Sequence, residues 1–396
     1  MNSDYDVIVV GAGPVGSTVS YYLAQEGLDV LIVDKKKQIG YPLQCAGILS
    51  KHIFENNELP SEVILNTVEG AFLHTKNHIL NVEKQEKVAF VIDRTAYDEY
   101  LLKRALGSGV KLINKKVTNV DFEKGIVYFS EGHYSSKVII GCDGYNSKVS
   151  SVIGNSRQNF PASQLLVSID EANMNNFRQS NKSVNDYVDT YLLENILPGF
   201  LWIIPIGNNE YRIGLFSNES HIQQGEILTS FLDENFEYEI IEKYKGFIPI
   251  YDNSNQIVKD RAILIGDAAA QVKPTSGGGL LIAFDCCKIA SKYVVDAIKN
   301  EDISVLSGYQ EEFDKKYLKE LNYQFKVQKT LNLLNNEDLD YFFEKLKEND
   351  CERLISEYGD MDNQSQLVKE FIKRGLIFKI MPNFLFKKII KIFGFR

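Results

Sequence analysis

The chain is poor in the residues that mark several classes of protein. Its 396 residues include five cysteines, at positions 45, 142, 286, 287 and 351, with no CxxC spacing among them. This scatter argues against a disulfide scaffold and a structural zinc site, and it indicates a reduced, cytoplasmic protein. The five histidines are also dispersed. His74 and His78 lie four residues apart, but no third ligand accompanies them, so we predict no metal site.

Long apolar runs and a targeting segment are missing as well. No stretch of about 18 or more residues is free of polar breaks, so we expect no membrane-spanning helix. The N-terminus carries Asp4 and Asp6, and no Lys or Arg precedes its first apolar run. That pattern is unlike a signal peptide. At 44% hydrophobic and 24% charged residues, the composition is instead that of a globular protein with a sizeable core.

Positive charge is scarce over most of the chain. The 44 Lys and Arg face 53 Asp and Glu, giving a net charge of −9, which argues against nucleic-acid binding. Residues 371–396 are the exception, because they hold seven Lys or Arg and no acid. This basic amphipathic tail predicts one of two arrangements. It is either an anchor on an anionic membrane surface or a helix pair packed on the body of the protein.

The N-terminal segment predicts a βαβ unit. Residues 6–34 follow the order strand, glycine turn, helix and strand, and Asp34 closes the second strand. In the turn, Gly11 permits the sharp bend, Gly13 lets the backbone approach a pyrophosphate, and Gly16 lets helix and strand pack closely. The helix N-terminus favours an anion, and the acid is placed to accept hydrogen bonds from a ribose. The pattern therefore predicts dinucleotide binding.

Two later segments repeat a strand that ends in a Gly/Asp turn. One ends at Asp143-Gly144, and the other ends at Gly266-Asp267 and leads through Lys-Pro-Thr-Ser-Gly-Gly-Gly to a helix beginning at Leu280. Parallel strands end at the same edge of a sheet, so we expect these acids to lie near the N-terminal glycine turn.

Between residues 161 and 259 the pattern changes to alternating strands, and beyond about residue 301 it is helical and rich in charge. We predict an α/β fold with an α+β insertion: a Rossmann-type nucleotide-binding domain, an antiparallel-sheet substrate domain and a helical C-terminal region. Both of the first two domains are discontinuous. The predicted boundaries are 1–55, 90–160 and 260–300 for the first domain, 56–89 and 161–259 for the second, and 301–396 for the third.

These motifs, with Asp93-Arg94, resemble those of FAD-dependent enzymes of the p-hydroxybenzoate hydroxylase fold. More closely, Gly-Tyr-Pro-Leu-Gln-Cys-Ala-Gly at 40–47 and the glycine segment at 273–279 are similar to the geranylgeranyl reductase family. That family includes the archaeal digeranylgeranylglycerophospholipid reductases. The matched motifs spread over roughly residues 6–290.

The resemblance implies a set of cofactor-binding residues. An α-helix beginning at residue 280 supports part of it independently, because its positive end stabilises the negative charge of a reduced flavin. The implied positions are the pyrophosphate turn (Gly11, Gly13, Val15, Gly16), the adenosine ribose (Asp34), the adenine (Val117), the flavin side (Cys45, Ala46, Gly47), further cofactor contacts (Arg94, Asp143, Gly144), the ribityl chain (Asp267) and the isoalloxazine edge (Gly278, Gly279, Leu280).

The substrate-domain motif departs from the family pattern. The family has Tyr-x-Trp-x-Phe-Pro-Lys-Gly, and this chain has Phe-Leu-Trp-Ile-Ile-Pro-Ile-Gly at 200–207. We predict that Phe200, Trp202 and Pro205 line a substrate pocket. The apolar replacements suit a long isoprenoid chain, whereas the lost Lys weakens the case for a polar head group. A Glu usual in archaeal members is also missing after Cys45-Ala46. The 200–207 segment resembles the Trp-x-Trp-x-Ile-Pro motif of flavin-dependent halogenases too.

The implied function is an FAD-dependent reductase of carbon–carbon double bonds in geranylgeranyl chains, cytoplasmic and peripherally bound to membrane. Its implied partners are an isoprenoid lipid substrate, an anionic membrane surface and an electron donor, either NAD(P)H or a small carrier such as reduced ferredoxin. Cys45 is the candidate catalytic acid, with a flavin-side water or a merely buried thiol as alternatives. A flavin monooxygenase or halogenase, and a non-catalytic FAD-bound adaptor, are the competing functions.

Overall fold

The computed structural model describes residues 3–84, 86–156, 158–178 and 182–380. Within these residues the chain forms eighteen strands, which in chain order are β1 (Tyr5–Val10), β2 (Val30–Asp34), β3 (Ile48–Ser50), β4 (Ile64–Val68), β5 (Gly70–His74), β6 (Ile79–Glu83), β7 (Ala89–Ile92), β8 (Lys111–Asn114), β9 (Asn119–Asp121), β10 (Ile126–Tyr128), β11 (His133–Gly141), β12 (Asn159–Ile169), β13 (Tyr187–Tyr191), β14 (Leu201–Gly207), β15 (Glu210–Phe216), β16 (Tyr238–Pro249), β17 (Val258–Lys259) and β18 (Ala262–Leu264).

The same described residues form thirteen α-helices. In chain order these are α1 (Pro14–Gln25), α2 (Ile53–Asn56), α3 (Arg94–Gly107), α4 (Lys148–Ile153), α5 (Glu171–Arg178), α6 (His221–Asn235), α7 (Leu280–Lys299), α8 (Ser307–Phe313), α9 (Lys319–Leu331), α10 (Asn336–Glu348), α11 (Cys351–Tyr358), α12 (Ser365–Lys373) and α13 (Ile377–Ile380).

The first sheet has the parallel core that the sequence predicts. Its main path runs β17-β18-β11-β1-β2-β8, and the five strands from β18 to β8 are parallel. Runs of Val, Ile and Leu fill these strands and are almost fully buried, as expected of strands covered on both faces. Helices α1, α3 and α7 pack together beside the sheet. The carboxyl ends of β1, β2, β11 and β18 therefore share one edge.

The second sheet is antiparallel with one exception. Its order is β16-β12-β15-β14-β13-β5-β6, and only the β13–β5 pair is parallel. Along β14 the side chains alternate between two apolar clusters: Leu201 and Ile203 face one, and Trp202 and Ile204 face the other. A buried Arg178–Asp189 ion pair of 2.5 Å, with His74 2.9 Å from Asp189, reinforces the parallel pair from within the core.

A third, three-stranded sheet links the two larger ones. It has the order β3-β7-β4, so its strands come from both sides of the predicted boundaries at 55/56 and 89/90. The Trp202 face of the second sheet shares an apolar cluster with Val68 of β4 and Val91 of β7. The mixed α/β class is confirmed, while the exact domain boundaries stay a prediction.

The C-terminal region is helical, as predicted. Helices α10 to α13 build an apolar cluster against Leu80 of β6, in which Phe371, Leu376 and Ile380 are buried. Residues 371–380 of the predicted basic tail thus pack on the body of the protein, and residues 381–396 lie outside the described residues. No helix in the described part of the chain is both long and apolar enough to cross a bilayer.

A candidate cofactor and substrate site

The N-terminal glycine turn is fixed by close backbone packing. Gly11 has φ +107°, and a Cβ on it would lie 2.3 Å from the carbonyl oxygen of Cys142. A Cβ on Gly16 would lie 1.9 Å from the carbonyl oxygen of Gly11, whereas a Cβ on Gly13 would meet only open space. Two of the glycines are therefore required by the fold, and the third borders an open cradle.

The N-terminus of α1 opens into that cradle. No side chain of the described residues caps the helix, and Pro14 occupies its first turn without an N–H to satisfy. The N–H groups of the first turn, including those of Val15 and Gly16, remain available because a helix leaves its first donors without intrahelical partners. This arrangement suits a pyrophosphate.

Asp34 lies at the end of β2, beside the glycine turn. Its Oδ2 accepts a hydrogen bond from the Ala12 N–H at 2.7 Å, and its Oδ1 accepts one from the Lys36 N–H at 2.8 Å. The carboxylate thus holds the turn against β2 and retains lone pairs for a ribose hydroxyl. Val117 follows the neighbouring strand β8 and packs half-buried on the core, at the same edge of the sheet.

The acids after β11 and β18 have different surroundings. Asp143 accepts hydrogen bonds from the Ser147 hydroxyl and from the Lys148 N–H, which lies 2.6 Å away, so it caps the start of α4. Burial raises the pKa of Asp143, although these hydrogen bonds oppose the shift. Because both oxygens of this carboxylate already accept hydrogen bonds within the fold, fewer lone pairs remain for a cofactor than the motif implied. Gly144, with φ +75°, continues the turn.

Asp267 by contrast accepts no side-chain hydrogen bond from any described residue. Its carboxylate is open to solvent, yet protein atoms surround it in a cleft, and this desolvation raises its pKa to about 6 against the opposing charge of Arg94. The Asp267 Oδ1 would lie 3.6 Å from a Cβ on Gly279, so the acid and the N-cap of α7 are neighbours. A carboxylate without a side-chain partner beside an uncapped helix N-terminus forms a polar cradle that suits a ligand with hydroxyl groups and an anionic part.

The glycine loop before α7 is braced from the C-terminal region. Lys273 is 7% exposed, and its Nζ donates to the Met361 carbonyl at 2.8 Å and to Asp362 Oδ1 at 2.6 Å. A Cβ on Gly278 would lie 3.1 Å from the Lys273 Cε, so the loop folds over this side chain. Within the described part of the chain no side chain caps α7, which begins at Leu280, so its positive end is open toward the cleft.

Cys45 and Arg94 form the opposite wall of the cleft. The half-buried Cys45 thiol accepts a hydrogen bond from the Gly47 N–H, at 3.4 Å. Arg94 forms a two-pronged ion pair with Asp98, at 3.0 and 3.3 Å from its Nη2. Burial acts to lower the pKa of Arg94, but Asp98 and the nearby Cys45 thiol outweigh burial and raise it. Since Arg94 also acts on Asp267, the structure brings these segments into one site.

Arg212 is a residue of this site that the sequence did not reveal. It lies on β15, is 5% exposed, and donates from Nη1 to the Ala46 carbonyl at 2.9 Å and the Ile92 carbonyl at 3.0 Å. A Cβ on Gly47, which has φ +75°, would lie 2.2 Å from this nitrogen. An Arg in an alternating strand predicts an exposed side chain, so no sequence signal pointed to it.

The predicted substrate residues lie in the apolar cluster beside this wall. The Trp202 Nε1 donates to Gln164 Oε1 at 3.0 Å, and the indole lies over Gly214, where a Cβ would come within 2.6 Å of the ring. The Phe200 ring meets the Trp202 ring edge-on, with centroids 6.0 Å apart. Pro205 is placed by strand alternation on the opposite face of β14, so the geometry does not bring it to this cluster.

Three potential metal ligands lie close together, but they already interact with charged side chains of the protein. His52, Asp360 and Asp362 come within 4.8 Å of one another, a grouping that the sequence did not indicate. Lys273 neutralises Asp362, and His52 Nδ1 lies 2.6 Å from Glu55. The cluster therefore acts as a charge network at the docking point of the C-terminal region. His74 pairs with Asp189 in the core, away from His78.

The residues present fit a bound FAD. The open cradle at Gly13, the free N-termini of α1 and α7 and the orphaned Asp267 supply the donors, acceptor and space that a dinucleotide with an anionic flavin needs. A family model described as an FAD binding domain matches residues 4–292. A digeranylgeranylglycerophospholipid reductase of Methanococcoides burtonii is 30% identical, over 86% of this chain and 87% of its own length. The chain belongs to the geranylgeranyl reductase family of FAD-binding proteins.

Solved structures show the same fold. A geranylgeranyl bacteriochlorophyll reductase-like protein of Thermoplasma acidophilum superposes with a TM-score of 0.82 at 22% identity, covering 98% of this chain and 99% of that one. The halogenase PltM superposes with a TM-score of 0.66 at 17% identity, over 90% and 84%. Likeness at these identities concerns the fold alone. The predicted family, the FAD-dependent oxidoreductase class and the FAD cofactor are confirmed, and individual site residues stay predictions.

Proposed function

We propose that this reductase hydrogenates the carbon–carbon double bonds of geranylgeranyl chains, with an archaeal-type ether phospholipid as its substrate. The observation that carries the proposal is the apolar cluster around Trp202, which extends to Ala46 beside Cys45 and Arg94. A long hydrocarbon chain on the Trp202 face of β14 would therefore reach the flavin side of the cleft. The name of the M. burtonii relative agrees with a lipid of this kind.

The protein residues have distinct roles in this proposal. When bound and reduced, FAD would supply the hydride chemistry for the alkene. Gly13 and the α1 N-terminus would hold the pyrophosphate, Asp34 a ribose, Asp267 a hydroxyl of the ribityl chain, and the α7 N-terminus the negatively charged side of the ring. The apolar cluster excludes water from the reacting double bond.

A proton must reach the other alkene carbon. Cys45 is the candidate donor, because its thiol lies half-buried between the Arg94 side chain and the apolar cluster. A water held at the same place is the alternative. A Cys45→Ser protein that kept the full reduction rate would remove the thiol from this role.

The electron donor and the membrane contact are also proposals. The sequence has one dinucleotide-binding glycine motif, so a small carrier such as reduced ferredoxin is as plausible as NAD(P)H. Rapid anaerobic bleaching of the flavin by NADPH would identify the nicotinamide. The basic tail would hold the enzyme on an anionic lipid surface, where its substrate resides.

The decisive experiment is anaerobic. The purified holoprotein is reduced with dithionite, mixed with a geranylgeranylated glycerophospholipid, and the lipid is weighed by mass spectrometry. We expect a gain of two hydrogens for each double bond reduced. An unchanged lipid, with flavin that stays reduced until oxygen is admitted, would instead support the monooxygenase or halogenase chemistry.

A pair of glycine variants tests the proposed pocket. In Gly214→Ala the new methyl group collides with the Trp202 indole, so lipid reduction should fall at least about tenfold while FAD content is retained. Gly225→Ala on α6 is the matched control, because its Cβ meets nothing within 4 Å. Trp202 is the only tryptophan, so its fluorescence reports the displacement directly. Equal reduction rates in both variants would place the substrate elsewhere.

A further inference from the structure

Arg212 carries a buried positive charge without an acidic partner. Its side chain forms no ion pair with a carboxylate of any described residue, and among these residues it donates to two backbone carbonyl oxygens, those of Ala46 and Ile92. Burial lowers the pKa of this guanidinium, but an arginine keeps its proton at physiological pH. A charge left in this state costs free energy unless a negative group arrives to balance it.

The other charged groups around it offset its charge only in part, since burial still lowers the Arg212 pKa. Arg94 is already matched by Asp98. The Asp93 carboxylate accepts hydrogen bonds from the N–H groups of Thr95 and Ala96 and favours the charged form of Arg212, but burial outweighs it and lowers the Arg212 pKa. On β16, the Tyr244 hydroxyl donates a hydrogen bond to Glu242, so it is protonated and carries no negative charge that could pair with the guanidinium. Of the two guanidinium groups in the wall formed by Cys45, Arg94 and Arg212, only that of Arg94 forms an ion pair with a described carboxylate.

The position of Arg212 couples two parts of the molecule. It projects from the second sheet, on the face that it shares with its cross-strand neighbours Ile204 and Leu166. By holding the Ala46 and Ile92 carbonyls, it fixes the turn of residues 45–47 against the end of β7. The same side chain thus sets both the shape and the charge of the wall.

We propose that Arg212 is a positioning residue of the cofactor site, which locks the turn of residues 45–47 onto the second sheet and favours the reduced, anionic form of the bound flavin. This inference rests on the cofactor placement in the proposed function. Reduction places negative charge on the flavin, and an unpaired cation in a low-dielectric wall stabilises that charge more than it would in water. The reduction potential of the bound flavin is therefore higher than it would be without Arg212.

Five variants of the holoprotein separate the effect of charge from that of shape. Arg212→Gln removes the charge, and Arg212→Lys keeps it. Leu166→Glu leaves Arg212 in place but supplies a carboxylate directly across from it, since cross-strand neighbours have Cβ atoms roughly 5 Å apart. Leu166→Gln is its matched control, and the exposed Arg353→Gln controls for a distant lost charge. The midpoint potential of the bound flavin is measured by equilibrium dye titration, with no lipid present.

The expected result is a lower potential in Arg212→Gln and in Leu166→Glu. Each should weaken the preference for the reduced form about tenfold, which for two electrons is a drop of roughly 30 mV. Arg212→Lys, Leu166→Gln and Arg353→Gln should stay near the parent value. If Arg212→Gln does not fold or hold FAD, the Leu166 pair decides the matter alone.

An unchanged potential in both charge-altering variants would overturn the inference. So would a drop in Leu166→Gln equal to that in Leu166→Glu, because polarity rather than charge would then be responsible. The readout needs no substrate. Shifted potentials together with an unreduced lipid would contradict the proposed reaction and leave the role of Arg212 intact.

Discussion

At the residue scale, the site depends on a few groups with unmet interactions. Asp267 is the clearest of them, because its carboxylate lies in the cleft without a side-chain partner among the described residues and its pKa is raised to about 6. Desolvation penalises the charged form, so the apoprotein loses stability as the pH rises from about 4 through 6. A ligand hydroxyl that donates to the carboxylate reverses this penalty.

The Asp267→Asn variant should therefore change two properties in opposite directions. The cofactor-free variant should melt about 1–3 °C above the parent protein at pH 8, and the difference should vanish near pH 4, where the parent carboxyl is neutral. Its FAD affinity should fall about tenfold, because a charged acceptor is lost. Thermal melts and FAD titrations across pH measure both effects.

Asp143→Asn is the matched control for that prediction. Asp143 caps α4 through Ser147 and Lys148, so the loss of an accepting oxygen opposes the gain from removing a buried charge, and Asp143→Asn should raise the melting temperature less than Asp267→Asn does. A cofactor-free Asp267→Asn protein that melts below the parent at pH 8 would show that this carboxylate is satisfied within the fold.

At the element scale, the loop of residues 273–279 depends on a contact that is distant in sequence. Lys273 and Asp362 form an ion pair with side chains 9% and 20% exposed, and the Ser50 hydroxyl donates to the same acid. Burial acts to raise the pKa of Asp362, but Lys273 and Ser50 outweigh it and lower the pKa. The loop in front of α7 is thereby held by the C-terminal region.

Breaking this pair should loosen the cofactor loop. Lys273→Met or Asp362→Asn alone should cost about 3 kcal/mol of unfolding free energy and weaken FAD binding, because each leaves a buried charge unpaired. The double variant should lose less than the sum of the two single losses. Denaturant unfolding and FAD titration test this. The exposed Lys51–Glu86 pair is the control, and Lys51→Gln should cost at most about 1 kcal/mol.

At the scale of the whole molecule, the tail has two parts. Residues 371–380 pack on the cluster formed by α10, α11 and β6, whereas residues 381–396 add four Lys or Arg and no acid. The body of the protein is acidic, so repulsion from an anionic membrane must be overcome locally. The packing of residues 371–380 agrees with the prediction of helices packed on the body of the protein. The proposed membrane contact is therefore assigned to residues 381–396.

Truncation after Ile380 should separate these roles. The shortened protein should keep its melting temperature and lose most of its binding to anionic vesicles, because each cation near the surface contributes about 1 kcal/mol. A full-length chain with Lys387, Lys388 and Lys391 changed to Gln is the matched control for charge. Vesicle sedimentation at low and high salt makes the measurement. Undiminished binding by the truncated protein would place the membrane contact on the body.

The sequence alone determined the βαβ unit, the shared edge of parallel strands and the alternating sheet. These features follow from the local periodicity of apolar residues and from glycines at positions where a side chain would not fit. It also indicated the family and its cofactor through motifs at fixed spacing. Tertiary structure decided the rest. Arg212, Gly214 and the Lys273–Asp362 pair acquire their roles from partners more than 80 residues away or on neighbouring strands. No local pattern encodes such pairings, since burial and charge balance arise only when distant segments pack together.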